Sequence, residues 1–166
     1  MPVLLLLSLL GGCVIPPSLS VESQDAGINS PPAITAVRAE DMALAEADLD
    51  NAAIFVRGEG SINVALLETD VLDTLVVRVF VNYTSGNPEP QRSQCTAGPN
   101  QSTRRSVTCD VSAVCFMRDD GKTLNMTIMA FDRQPLESGD PPHQAMPEGG
   151  LSASKFFFLR CEAPGA

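Results

Sequence analysis

Thr74-Leu75-Val76-Val77-Arg78-Val79-Phe80-Val81-Asn82-Tyr83 is the stretch that decides the fold class. Four of its ten residues are Val, a β-branched residue that packs well on a pleated surface and loses χ1 freedom in a helix. At period two, Val77, Val79, Val81 and Tyr83 share one face, and Val76, Arg78, Phe80 and Asn82 share the other. The segment reads as a strand. Working outward, the same alternation recurs. Ser61–Leu67 puts Ile62, Val64 and Leu66 on one face, and Thr123–Phe131 turns Leu124, Met126, Ile128 and Ala130 inward. Ala33–Arg38, Ser102–Val111 and Ser154–Cys161 complete six expected strands. Glu40–Leu49 is rich in helix formers but lacks a consistent apolar stripe, so it is a weak helix. Asp110–Cys115 has the makings of one turn capped by Asp110. Gly58-Glu59-Gly60 and Asp119-Asp120-Gly121 mark turns, the second read as a hairpin turn. Gln134–Gly150, with four Pro and three Gly, reads as a long loop. Short strands separated by turns, with no strong helix, predict an all-β antiparallel sandwich over residues 33–162, followed by a disordered tail at 163–166.

Composition narrows the function classes. The 166 residues carry a formal net charge of −9, which leaves nothing to neutralise a row of phosphates and argues against nucleic acid. No apolar stretch is long enough to span a bilayer as a helix. Five Cys in so short a chain point to an oxidising compartment. Pro16–Pro32 (PPSLSVESQDAGINSPP) has linker composition and, as a flexible chain, a root-mean-square reach of about 20–25 Å.

The N-terminus reads Met1-Pro2-Val3-Leu4-Leu5-Leu6-Leu7-Ser8-Leu9-Leu10-Gly11-Gly12-Cys13. The run Val3–Leu10 has the length of the apolar region of a secretory signal. Its end, Leu10-Gly11-Gly12-Cys13, resembles the lipobox of bacterial lipoproteins. The resemblance implies a signal peptide over residues 1–12 and cleavage before Cys13. The Cys13 thiol would carry a diacylglyceryl group, with palmitate-type chains anchoring a flexible linker over 13–32. One acyl chain holds a protein to a membrane only marginally, so stable anchoring takes two or more. Val14 follows Cys13, and lipoprotein sorting as generally known then favours the outer membrane. The membrane is thus the one expected partner, through Cys13; a further envelope or surface ligand is left unnamed.

A second resemblance concerns the fold. Ser30-Pro31-Pro32-Ala33-Ile34-Thr35 is similar to the opening strand of bacterial immunoglobulin-like modules. Glu68-Thr69-Asp70-Val71-Leu72-Asp73-Thr74-Leu75 resembles the acidic turn between their second and third strands. The resemblance implies an immunoglobulin-like sandwich, although the family's core Trp is absent.

With Cys13 set aside, Cys95, Cys109, Cys115 and Cys161 allow three connectivities. The favoured one is Cys95–Cys109, closing a hairpin-sized loop, with Cys115–Cys161, tying the segment before Asp119-Asp120-Gly121 to the last strand. Zinc is disfavoured, since the spacings match no familiar finger and there is one His. Glu68, Asp70 and Asp73 are weak calcium candidates, with Asp48, Asp50 and Asp132 as conceivable additions; the ordinary reading of such a turn is Asx chemistry. His143 reads as a solvated loop residue, because no nucleophile elbow accompanies it. Asn82, Asn100 and Asn125 head glycosylation-type triplets that would matter only in a eukaryotic setting. Phe156-Phe157-Phe158 reads as a strand whose outer face meets the preceding long loop. No cofactor is expected. The functional expectation is a membrane-anchored, non-catalytic binding or structural module, with Gln134–Gly150 as the first contact surface. The alternatives are a calcium-stabilised adhesion module, or an extracytoplasmic enzyme drawing on Asp70, Asp73, Asp132 and His143.

Overall fold

Two β-sheets make up the protein in the computed structural model, which describes residues 29–40 and 42–165. The expected signal peptide, Cys13 and the expected linker as far as residue 28 lie outside the described residues. Among the described residues nine strands run in chain order: β1 Ala33–Ala39, β2 Met42–Ala43, β3 Ala53–Val56, β4 Ser61–Leu67, β5 Leu75–Val81, β6 Ser93–Ala97, β7 Arg104–Asp110, β8 Thr123–Phe131 and β9 Ser152–Glu162. One sheet has the order β2-β1-β4-β7, the other β3-β9-β8-β5-β6. All pairings are antiparallel except β3 with β9, which is parallel. The expected all-β, two-sheet architecture is present.

Alternation sets what each strand buries. Ile62, Val64 and Leu66 of β4 face Val77, Val79 and Val81 of β5, and Met126, Ile128, Phe157 and Leu159 complete the core between the sheets. Burying one such side chain contributes about 1.5–3 kcal/mol. β5 differs from its neighbours, since all seven of its residues are buried. Its second face, Val76, Arg78 and Phe80, is covered by something other than the opposite sheet.

Three strands escaped the sequence reading. β2 lies within Glu40–Leu49, read as a weak helix, β3 follows that segment, and β6 falls where turn residues dominate. Each is short and none alternates cleanly, so each depends on the strand it borders. Two turns also differ from expectation. Asp119-Asp120-Gly121 does not close a hairpin. A one-turn 3-10 helix, Met117–Asp119, precedes it, and Gly121 (φ 75°) donates its N–H to the Cys161 carbonyl at 2.8 Å. The turn therefore caps β9, because its flanking strands β7 and β8 belong to different sheets. Asp110 forms an Asx turn with the Ser112 N–H at 2.8 Å, in place of a helix cap.

The two sides of the sandwich are unlike. On one side β6 and β7 pass the chain between sheets. There Cys95 and Cys109 lie at disulfide distance, with Cα atoms 5.1 Å apart. Cys115 and Cys161 form the second pair, 5.6 Å between Cα atoms, tying the β7–β8 connection to the end of β9. On the other side β2 and β3 are edge strands of different sheets, and no cysteine pair joins them.

Candidate functional site

The second face of β5 is covered by the long loop, Gln134–Gly150. Arg78 holds it there. Its side chain is fully buried; Nε donates to Gln94 Oε1 of β6 at 2.7 Å, one terminal nitrogen donates to the His143 carbonyl at 2.6 Å, and the other to the Glu137 carboxylate. Tyr83 adds a second fastening, its hydroxyl donating to the Pro142 carbonyl at 2.7 Å. The loop carries its own turns, with Leu136 N–H on the Ala145 carbonyl and Gln144 N–H on the Pro141 carbonyl. Ala145 is buried. The physical demand is plain: a guanidinium can sit without water only if acceptors meet its donors. The sequence carried a signal for this. An Arg between Val76 and Phe80 on one strand face places a charge inside an apolar strip, which implies that something covers the strip.

His143 is consequently no free-standing solvated residue. Its side chain is three-quarters buried, its backbone sits at φ 63°, and Nδ1 lies 3.7 Å from a Glu137 oxygen. The Phe run also departs from expectation. The loop lies over β5 instead of over β9. Phe157 points into the core and Phe156 is 58% exposed. The longest exposed run of the loop is Leu136–Pro141.

The roots of the loop meet at Asp132. This carboxylate is buried, and it accepts from the Leu151 N–H at 3.0 Å, from Arg133 Nε at 3.2 Å and from the Asn29 amide. Asn29 also donates to the Gly149 carbonyl at 2.9 Å. The chain thus enters the sandwich beside the roots of its longest loop.

The acidic turn between β4 and β5 lies at this same end. Glu68 is buried; its carboxylate folds under the turn and accepts the Asp70 N–H at 3.0 Å. Arg105, opposite Leu66 on β7, reaches under the turn too and donates to the backbone carbonyls of Asp70 (2.6 Å) and Asp73. Carbonyl oxygens of this kind are what calcium would draw on, and here a guanidinium from the same chain engages both. Asp48 binds the N–H groups of Asp50 and Asn51 in an exposed Asx turn. Among the described residues, no three His, Cys, Asp or Glu gather to hold a metal ion. Desolvation, then the negative charges of Asp70 and Asp132, push the Asp73 carboxyl above its ordinary value.

At the opposite end, Arg92 and Arg118 flank the Phe116 ring, 4.1 and 5.0 Å from its centroid. Arg92 is buried and pairs with Asp119. Burial raises the Asp119 pKa, but the Phe116 N–H and Arg92 outweigh it, and the net shift is downward. The polar residues that organise this protein are therefore Arg78, Arg92 and Arg105, each an arginine buried against backbone or carboxylate oxygens. Sequence reading did not single them out, because the backbone carbonyls they engage lie 22 to 65 residues away.

No protein-family model and no curated protein matches the chain.

Proposed function

We propose that this is a lipid-anchored, extracytoplasmic module of the bacterial cell envelope, attached through Cys13, that works by binding or as a structural part. The observation that carries the reading is the cysteine count. Four of five cysteines fall into two pairs at disulfide distance, and the fifth is Cys13 of Leu10-Gly11-Gly12-Cys13. Paired cysteines fit an oxidising space, and the remaining one occupies the lipidated position of the motif. Outer-membrane placement follows from Val14.

A non-catalytic role is supported by how the acid–base candidates are committed. Asp132 is buried and accepts from three donors, and Arg105 and Arg78 tie down the main-chain carbonyls of Asp70, Asp73 and His143, so the segments that carry these residues serve the fold. An immunoglobulin-like topology is supported by strand order: β1-β4-β7 in one sheet opposes β9-β8-β5 in the other, as Greek-key sandwiches arrange them.

The test is mass spectrometry of the protein from a membrane fraction. An N-terminal Cys13 carrying a diacylglyceryl thioether is expected, and Cys13→Ala should release the protein from that fraction. An unmodified Cys13, or one still preceded by Gly12, overturns the reading.

A further inference from the structure

The open side of the sandwich carries an unused pairing surface. Among the described residues, β3 has a hydrogen-bonded neighbour, β9, on one side only, and β2 is bordered only by β1. Natural edge strands are commonly guarded by Lys, Pro or a covering segment. β3 is Ala53-Ile54-Phe55-Val56, with no charge and no Pro, and Ile54 is 61% exposed. Across from it Met42 of β2 is 72% exposed. Between the two edges runs a groove of about 490 Å³ whose walls include Ala39, Met42, Ile54 and Val56. Its charged residues are two carboxylates, Glu40 and Glu59, and neither joins an ion pair among the described residues. The neighbouring cation, Arg57, is already taken by Asp120 at 3.1 Å.

We propose that this groove receives an extended protein segment of alternating apolar residues flanked by Lys or Arg, which adds to the open edge of β3 as a sixth strand. Two features select that occupant. The strand edge, apart from the Val56 carbonyl, which accepts the Glu59 N–H at 3.2 Å, asks for main-chain N–H and C=O groups in extended form, the mode in which peptides add to sheets. The rim of Glu40 and Glu59 asks for positive charge at the ends of the segment. The contrast with the far side of the sandwich is informative: there the β6–β7 passage and the Cys95–Cys109 pair occupy the space between the sheets. The proposal does not depend on how the chain is anchored.

The experiment uses the full chain in detergent micelles and a dye-labelled peptide of sequence acetyl-Lys-Val-Thr-Val-Thr-Val-Lys-amide. Fluorescence anisotropy measures binding, with empty micelles as control, and hydrogen-exchange mass spectrometry locates it. Saturable binding is expected, with slowed exchange over 53–56. Glu40→Gln with Glu59→Gln should weaken binding about three- to tenfold, the range for two exposed charge pairs. Ile54→Lys, at a position where a charged side chain stays in water, should abolish binding while leaving exchange in β8 unchanged. A peptide with Glu in place of both Lys should bind the parent chain more weakly than the Lys peptide does. The proposal is overturned if binding does not saturate at millimolar peptide. It is equally overturned if protection appears at β6–β7 or around Phe156, if the double Gln variant binds like the parent chain, or if the groove is filled by self-association of the protein.

Discussion

Arg78→Met tests the fastening of the long loop directly. Met fills the space of the Arg stem, ends two atoms short of the terminal guanidinium nitrogens and has no donors, so the substitution removes three hydrogen bonds while keeping most of the packed volume. Of the acceptors left behind, Gln94 Oε1 belongs to an exposed residue and regains water, whereas the His143 carbonyl lies under the loop. A buried acceptor without a partner costs about 1–3 kcal/mol. The third, Glu137, is 66% exposed, so water replaces the lost donor and its ion pair adds little. Against these losses stands the recovered desolvation of a guanidinium that was wholly removed from water. The balance predicts a destabilisation of about 1–2 kcal/mol, from the stranded His143 carbonyl less some recovery. Glu137→Gln should cost no more than about 0.5 kcal/mol, as for an exposed pair. The assay is urea denaturation, read with hydrogen exchange over 134–150. Arg78→Met should accelerate exchange across the loop before global unfolding, since Val76 and Phe80 lose their cover, while β8 and β4 stay protected. Two results would refute the reasoning: equal costs for Arg78→Met and Glu137→Gln, or a loop that exchanges as slowly without Arg78 as with it.

Other predictions follow from the acidic end and the cysteines. Asp73 has a folded pKa above that of the unfolded chain, so its protonated form favours the fold, and stability is lost as pH rises through the folded pKa. Asp73→Asn should therefore stabilise the protein near pH 7 by less than about 1 kcal/mol and have no such effect below about pH 4, measured as melting midpoint against pH. Arg105→Ala should lower stability by about 2–3 kcal/mol, because the Asp70 and Asp73 carbonyls lose a charged donor, whereas a calcium chelator should leave the melting transition of the parent chain in place. Replacing Cys95 and Cys109 by Ala should cost about 3 kcal/mol, and replacing Cys115 and Cys161 about 4 kcal/mol, the second pair closing the longer loop; denaturation midpoints of the two variants would show the order.

What the sequence determined by itself was the set of strands whose burial alternates, together with the fold class. Ser61–Leu67 and Thr123–Phe131 were legible to the residue, because the opposite sheet buries one face and water takes the other, and that difference is written at period two. β2, β3 and β6 were not legible. Their pairing is supplied by β1, β9 and β5, and nothing in Met42-Ala43 or Ala53–Val56 announces the neighbour. Tertiary structure alone decided the fate of the polar residues. The carboxylates of Glu68, Asp70 and Asp73 looked like a cation site in one dimension, and in three the Arg105 guanidinium reaches under them from a strand that sequence places more than thirty residues away. Gln134–Gly150 looked like a free contact loop, and Arg78 fastens it over β5. The physical reason is common to both. Hydrophobic burial is additive and local in pattern, so it leaves a periodic trace, whereas a buried charge is stable only beside particular acceptors, and which acceptors those are depends on how distant strands come together.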